Sequence, residues 1–189
     1  MCRVKSAKSM SVGSVRYEAK LRESLKGGIS VSYFILQQDK RTLDALILQE
    51  SSDTNLQEQF NLYVREDQEP VYLDWIDKPY RLVSDRLKKL LELHDAELQW
   101  KSVVLTARQA KRQELYWYVV PPERDVLSEK SQRDPMGKWS HIVLRAGKLR
   151  RERLFCAGEQ CIVHLDVAES CLRRSFTGMH FIPVDVDTD

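Results

Sequence analysis

Cysteine, histidine and carboxylate side chains are where chemistry would begin in this chain of 189 residues. Cys161 and His164 have the spacing of a metal-binding pair, with His180 nearby. Residues three apart in a strand point to opposite faces, so the two cannot share one ion unless they leave the strand. Cys156 with His141, or Ser128 with a distant histidine, supplies a nucleophile and a base on paper. Neither comes with the flanking turn that exposes a nucleophile. A phosphate-cradling loop is absent, because seven glycines are scattered and form no GxGxxG or P-loop pattern. No catalytic residue, metal or cofactor is therefore assigned.

What remains is surface charge. Glu66, Asp67 and Glu69 cluster at a charged turn, and Asp74 and Asp77 flank Trp75. Together these six form an acidic patch around one aromatic anchor, the chemistry that would meet a basic protein partner. The alternation of the strand over residues 71–76 nevertheless favours Trp75 as a core residue over an exposed anchor. A basic patch at Arg145, Lys148, Arg150, Arg151 and Arg153 is interrupted by Glu152 and lacks interleaved aromatic rings. It reads as an aggregation-blocking edge, and nucleic acid is not expected as a partner.

The elements that position these residues follow from periodicity. Residues 31–37 are apolar on both alternating faces and suit a buried strand. Residues 114–120 do the same, with Leu115, Trp117 and Val119 on one face and Tyr116, Tyr118 and Val120 on the other. They belong in the middle of a sheet, and Pro121 and Pro122 end them. Ser84 is a good cap for a helix that buries Leu87, Leu90, Leu91 and His94. Asp166 reads as the cap of a second helix, with Glu169 completing a capping box and Gly178 as its left-handed stop. Gly158 and Glu159 close a hairpin, across which Cys156 and Cys161 could face each other. Reduced thiols are the expectation for all four cysteines, including Cys2 and Cys171. The sum is an α+β domain over residues 31–189: one mixed, mainly antiparallel sheet of roughly eight strands with two main helices packed on it.

Residues 1–30 differ in kind. Seven Lys and Arg against two Glu give them a local excess of five positive charges, while the whole chain carries +2. The remainder is thus slightly acidic. The segment reads as a disordered basic arm. Lys26, Gly27 and Gly28 have codons that can form a ribosome-binding stretch just ahead of Val31, so translation is expected to start near Val31. The apolar runs are too short to span a bilayer and no secretory leader is evident, which points to a cytoplasmic protein without a membrane partner.

Four stretches carry a resemblance: residues 33–41 (YFILQQDKR), 74–92 (DWIDKPYRLVSDRLKKLLE), 101–129, and 164–181 (HLDVAESCLRRSFTGMHF). Within them, residues 82–87 (LVSDRL), 116–122 (YWYVVPP) and 165–170 (LDVAES) are the most specific. The chain resembles the bacterial immunity-protein family of polymorphic toxin systems, formerly classed as a domain of unknown function. The resemblance implies a non-enzymatic protein whose partner is a cognate toxin in the producing cell. It supplies no toxin-contact residues. A structural or regulatory interaction domain unrelated to toxins is the alternative reading.

Overall fold

The computed structural model describes residues 33–42, 46–49, 59–66, 69–149 and 153–188. The expected basic arm, the start near Val31 and Asp67 lie outside them. Among the described residues the chain is α+β, as expected, but its strands do not form one sheet of about eight. They form a six-stranded sheet, a four-stranded sheet and two small pairs.

The six-stranded sheet has the order β2 (Leu48–Gln49), β3 (Gln59–Val64), β6 (Gln99–Ala107), β7 (Arg112–Val120), β5 (Leu82–Ser84), β4 (Trp75–Ile76). The pairing of β3 with β6 is parallel and its other pairings are antiparallel. The four-stranded sheet is antiparallel, in the order β11 (Leu154–Ala157), β12 (Gln160–His164), β1 (Tyr33–Gln38), β13 (Met179–Pro183). Short β8 (Gln132–Arg133) pairs with β9 (Trp139–His141), and β10 (Val143–Arg145) pairs in parallel with β14 (Asp185–Asp187). Apolar alternation reports that a strand is buried, not which strand it pairs with. That is why β1 and β7, alike in pattern, end up interior to different sheets.

Each of the two larger sheets carries one helix. In α1 (Asp85–His94), Leu87, Leu90 and Leu91 are buried, and the helix packs on β5 and β7. Its cap is Ser84, whose Oγ accepts the Leu87 N–H at 3.2 Å. The second helix, α2 (Leu165–Arg173), buries Val167, Ala168 and Cys171 and packs on β12 and β1. The helices also touch each other. The cap of α2 is His164, not Asp166: the His164 ring nitrogen accepts the Asp166 N–H at 3.2 Å. Asp166 falls in the first turn, where its charge complements the helix dipole. Glu169 pairs with Arg173 one turn on, at 2.8 Å, instead of closing a capping box.

The stop of α2 is also displaced. Ser175 carries the left-handed backbone, at φ 52°, directly after the cap residue Arg174. Gly178, at φ 80°, comes later and serves a different need. A Cβ there would stand 2.6 Å from the Trp75 carbonyl oxygen and 2.8 Å from Leu73 Cβ, so only glycine lets the α2–β13 loop lie against that segment.

The expected strand over residues 71–76 shrinks to Trp75 and Ile76. Leu73, Asp74, Trp75 and Ile76 are buried in succession, whereas Val71 is exposed. Alternation fails because the segment is enclosed from both sides: Thr177 bonds to its backbone, and Ser84 bonds to Asp74.

Candidate functional site

The five described residues of the acidic patch, Glu66, Glu69, Asp74, Trp75 and Asp77, do not form one surface. Trp75 is 0% exposed and Asp74 is 8% exposed. Neither can meet a partner. Asp74 instead ties three elements together. Its Oδ1 accepts from Ser84 Oγ at 2.6 Å. Its Oδ2 accepts from Arg86 Nη2 at 2.8 Å, the Thr177 N–H at 2.8 Å and Thr177 Oγ1 at 3.0 Å. Burial pushes this carboxyl up, but the bonds from Ser84, Thr177 and Arg86 outweigh it and hold it below its ordinary value. Arg86 lies on the Phe176 ring at 4.3 Å, which fixes its guanidinium beside the carboxylate.

Glu66 and Glu69 sit at the opposite edge of the six-stranded sheet, after β3, near the β6–β7 turn. The Glu66 carboxylate accepts the N–H groups of Gln109 at 3.0 Å and Ala110 at 2.8 Å, and these bonds lower its pKa. Two arginines flank the same turn. Arg108 stacks on Tyr63 at 3.9 Å, and Arg112 stacks on Tyr72 at 3.9 Å. Arg112 also pairs with Glu114 at 2.8 Å, so its fork is held from two directions. Beside them runs a groove of about 540 Å³ lined by Glu66, Glu69, Tyr72 and Arg112. The Tyr72 hydroxyl is buried and finds no hydrogen-bond partner among the described residues. The edge is therefore not an acidic patch; it carries both signs of charge on ordered aromatic supports.

Asp77 falls in a third place, a cleft of about 1130 Å³. Burial raises its pKa against the pull of the nearby cations Arg81, Lys78 and Lys40. No ion pair among the described residues holds the Asp77 carboxylate. Lys40, Lys78 and Lys138 line the cleft and likewise have no ion pair among the described residues. Its aromatic walls are Tyr80 edge-on to Tyr118, centroids 5.9 Å apart, and Trp139 under the Arg133 guanidinium at 4.1 Å. Gly158, at φ 55°, makes room for the last of these. A Cβ there would lie 2.2 Å from Trp139 Nε1.

The basic patch is ion-paired where it is described. Arg145 and Lys148 both pair with Asp125, and Arg153 pairs with Asp166. The histidine and serine considered as catalytic also have carboxylate partners: His141 lies 3.3 Å from Asp185, and Ser128 Oγ donates to Asp187 at 2.7 Å.

Sequence reading missed Tyr63, Tyr72, Arg108 and Arg112. Each aromatic–cation pair joins residues from distant parts of the chain, so no local spacing announces it. The one available signal was Arg112 two residues before Glu114, which places both on one face of a strand. No family model matches this chain, and no curated protein matches it in sequence.

Proposed function

We propose that this protein is a non-enzymatic immunity protein that binds and neutralises a cognate bacterial toxin in the cytoplasm of the cell producing it. The resemblance of residues 82–87, 116–122 and 165–170 to that family motivates the reading. One observation carries it further: the ordered arginine–tyrosine pairs at the β6–β7 edge. Tight interfaces concentrate their energy in a few arginine, tyrosine and tryptophan side chains. Holding those side chains in place before contact lowers the entropy lost on binding. Arg108 on Tyr63 and Arg112 on Tyr72, with Glu66 and Glu69 beside them, meet both conditions. A partner fitting this edge would present acidic groups to the arginines and basic groups to Glu66 and Glu69.

The test is to identify toxin domains encoded beside this protein's gene and to measure binding to, and protection from, each of them. The full chain is expected to bind one such domain and to rescue cells expressing it. Arg112→Ala and Arg108→Ala, both at exposed side chains, should each weaken binding by about tenfold or more, with little change in the unfolding midpoint. If the unaltered protein neither binds nor protects, the reading fails. If it binds but both variants bind equally well, the assignment to this edge fails.

A further inference from the structure

We infer that Cys156 and Cys161 form an oxidisable dithiol, a site at which a peroxide converts two thiols into a cross-strand disulfide. The two residues are direct partners in the β11–β12 hairpin. The backbone hydrogen bonds show which kind of partner. The Cys156 N–H bonds to Pro122 O at 2.8 Å, and the Cys156 carbonyl accepts the Arg124 N–H at 2.8 Å. Both backbone groups of Cys156 thus point away from Cys161, which makes this a non-hydrogen-bonded pair. In such pairs the Cα atoms approach to about 4.5 Å and the side chains lie closest, on one face of the sheet. That separation falls within the range a disulfide bridges without backbone movement. Both thiols are free and buried.

The two sulfurs are not equivalent. Cys156 lines a cleft of about 1040 Å³ that also holds Arg81 and His94. Cys161 does not line it. Cys161 hydrogen-bonds to the Cys156 sulfur and favours its thiolate, Arg81 adds positive charge, and burial, Glu123 and Asp77 oppose them. Cys156 is therefore the attacking residue and Cys161 the resolving one. The Cys156 thiolate attacks one oxygen of hydrogen peroxide, the O–O bond breaks, and hydroxide leaves to become water. The product is a sulfenic acid on Cys156. The Cys161 sulfur then attacks the Cys156 sulfur, the S–O bond breaks, and the oxygen leaves with the Cys161 proton as a second water. Two electrons pass from the thiols to the peroxide, and an external dithiol reverses the change by exchange.

The bridge would have a structural consequence nearby. The turn immediately beyond the pair holds Gly158 under Trp139, and its Glu159 carbonyl accepts from Arg81 at 2.8 Å. A cross-link at the base of this turn stiffens the support of both residues, which line the Asp77 cleft.

The test treats the reduced full chain with hydrogen peroxide, blocks remaining thiols, and maps peptides without reduction. Cleavage at Glu159 and Glu169 places Cys156, Cys161 and Cys171 on separate peptides. The expected product joins the Cys156 and Cys161 peptides with the loss of two hydrogens, and a dithiol reductant separates them. In Cys161→Ala, Cys156 should instead accumulate as a sulfenic acid that a dimedone probe traps. The wild-type map stands by itself should that variant fail to fold. Added oxygen on Cys156 without a cross-link would overturn the inference, as would two untouched thiols while Cys2 is oxidised.

Discussion

Asp74 and Asp77 are the same residue type, three positions apart, and the protein treats them in opposite ways. Asp74 is buried and receives bonds from Ser84, Arg86 and Thr177, and its pKa is lowered. Asp77 lies at a cleft wall, no ion pair among the described residues holds its carboxylate, and its pKa is raised. Burial penalises both charges, so burial does not separate them. The number of donors aimed at the carboxylate does. A carboxylate supplied with donors becomes part of the framework, and one left without them stays available to something else.

The largest effect expected from breaking this contrast is at Asp74. Asp74→Ala leaves the Ser84 hydroxyl, the Thr177 N–H and the Arg86 guanidinium without their acceptor, and should cost about 3 kcal/mol in denaturant unfolding. Ser84→Ala comes next. It removes the cap of α1 together with one of the bonds to Asp74, and should cost about 1.5 kcal/mol by the same measurement. Asp77→Asn is expected to have the smallest effect and the opposite sign, a gain of under about 1 kcal/mol at neutral pH.

The two carboxylates should also respond oppositely to acid. The folded pKa of Asp74 lies below its unfolded value, so its contribution is complete above the unfolded value, near pH 3.9, and is lost as pH falls through the folded one. Asp77 has a folded pKa above its unfolded value. Its ionisation therefore costs stability above the folded pKa, and that cost disappears as pH falls below about 3.9. The gain from Asp77→Asn should vanish over the same window. A variant that loses stability at neutral pH would show that Asp77 has donors after all, and a gain that persists in acid would show that its charge is not the cause.

Local signals explain what could be read in advance. The cap at Ser84, the buried leucines of α1, the hairpin at Gly158 and the interior place of β7 all depend on residues close in the chain. The division into sheets was not legible, because it depends on which distant strands meet. The cap of α2 was misread because Asp166 has the favoured residue type, whereas His164 caps through a ring nitrogen. Asp74, Trp75 and Asp77 looked like one cluster because they are near in sequence. Thr177, more than a hundred residues on, is what draws Asp74 inward.

The placement of β1 bears on how the molecule is made. This strand precedes every other described element, yet both its neighbours, β12 and β13, come from the far end of the chain. Its apolar residues Phe34 and Leu36 must leave the ribosome well before Val163 and Phe181 exist to cover them. Pairings that wait for so long a stretch of chain form slowly and leave sticky strands exposed in the meantime. Completion of the four-stranded sheet is therefore a late event, and a nascent chain halted before β12 should engage chaperones through β1.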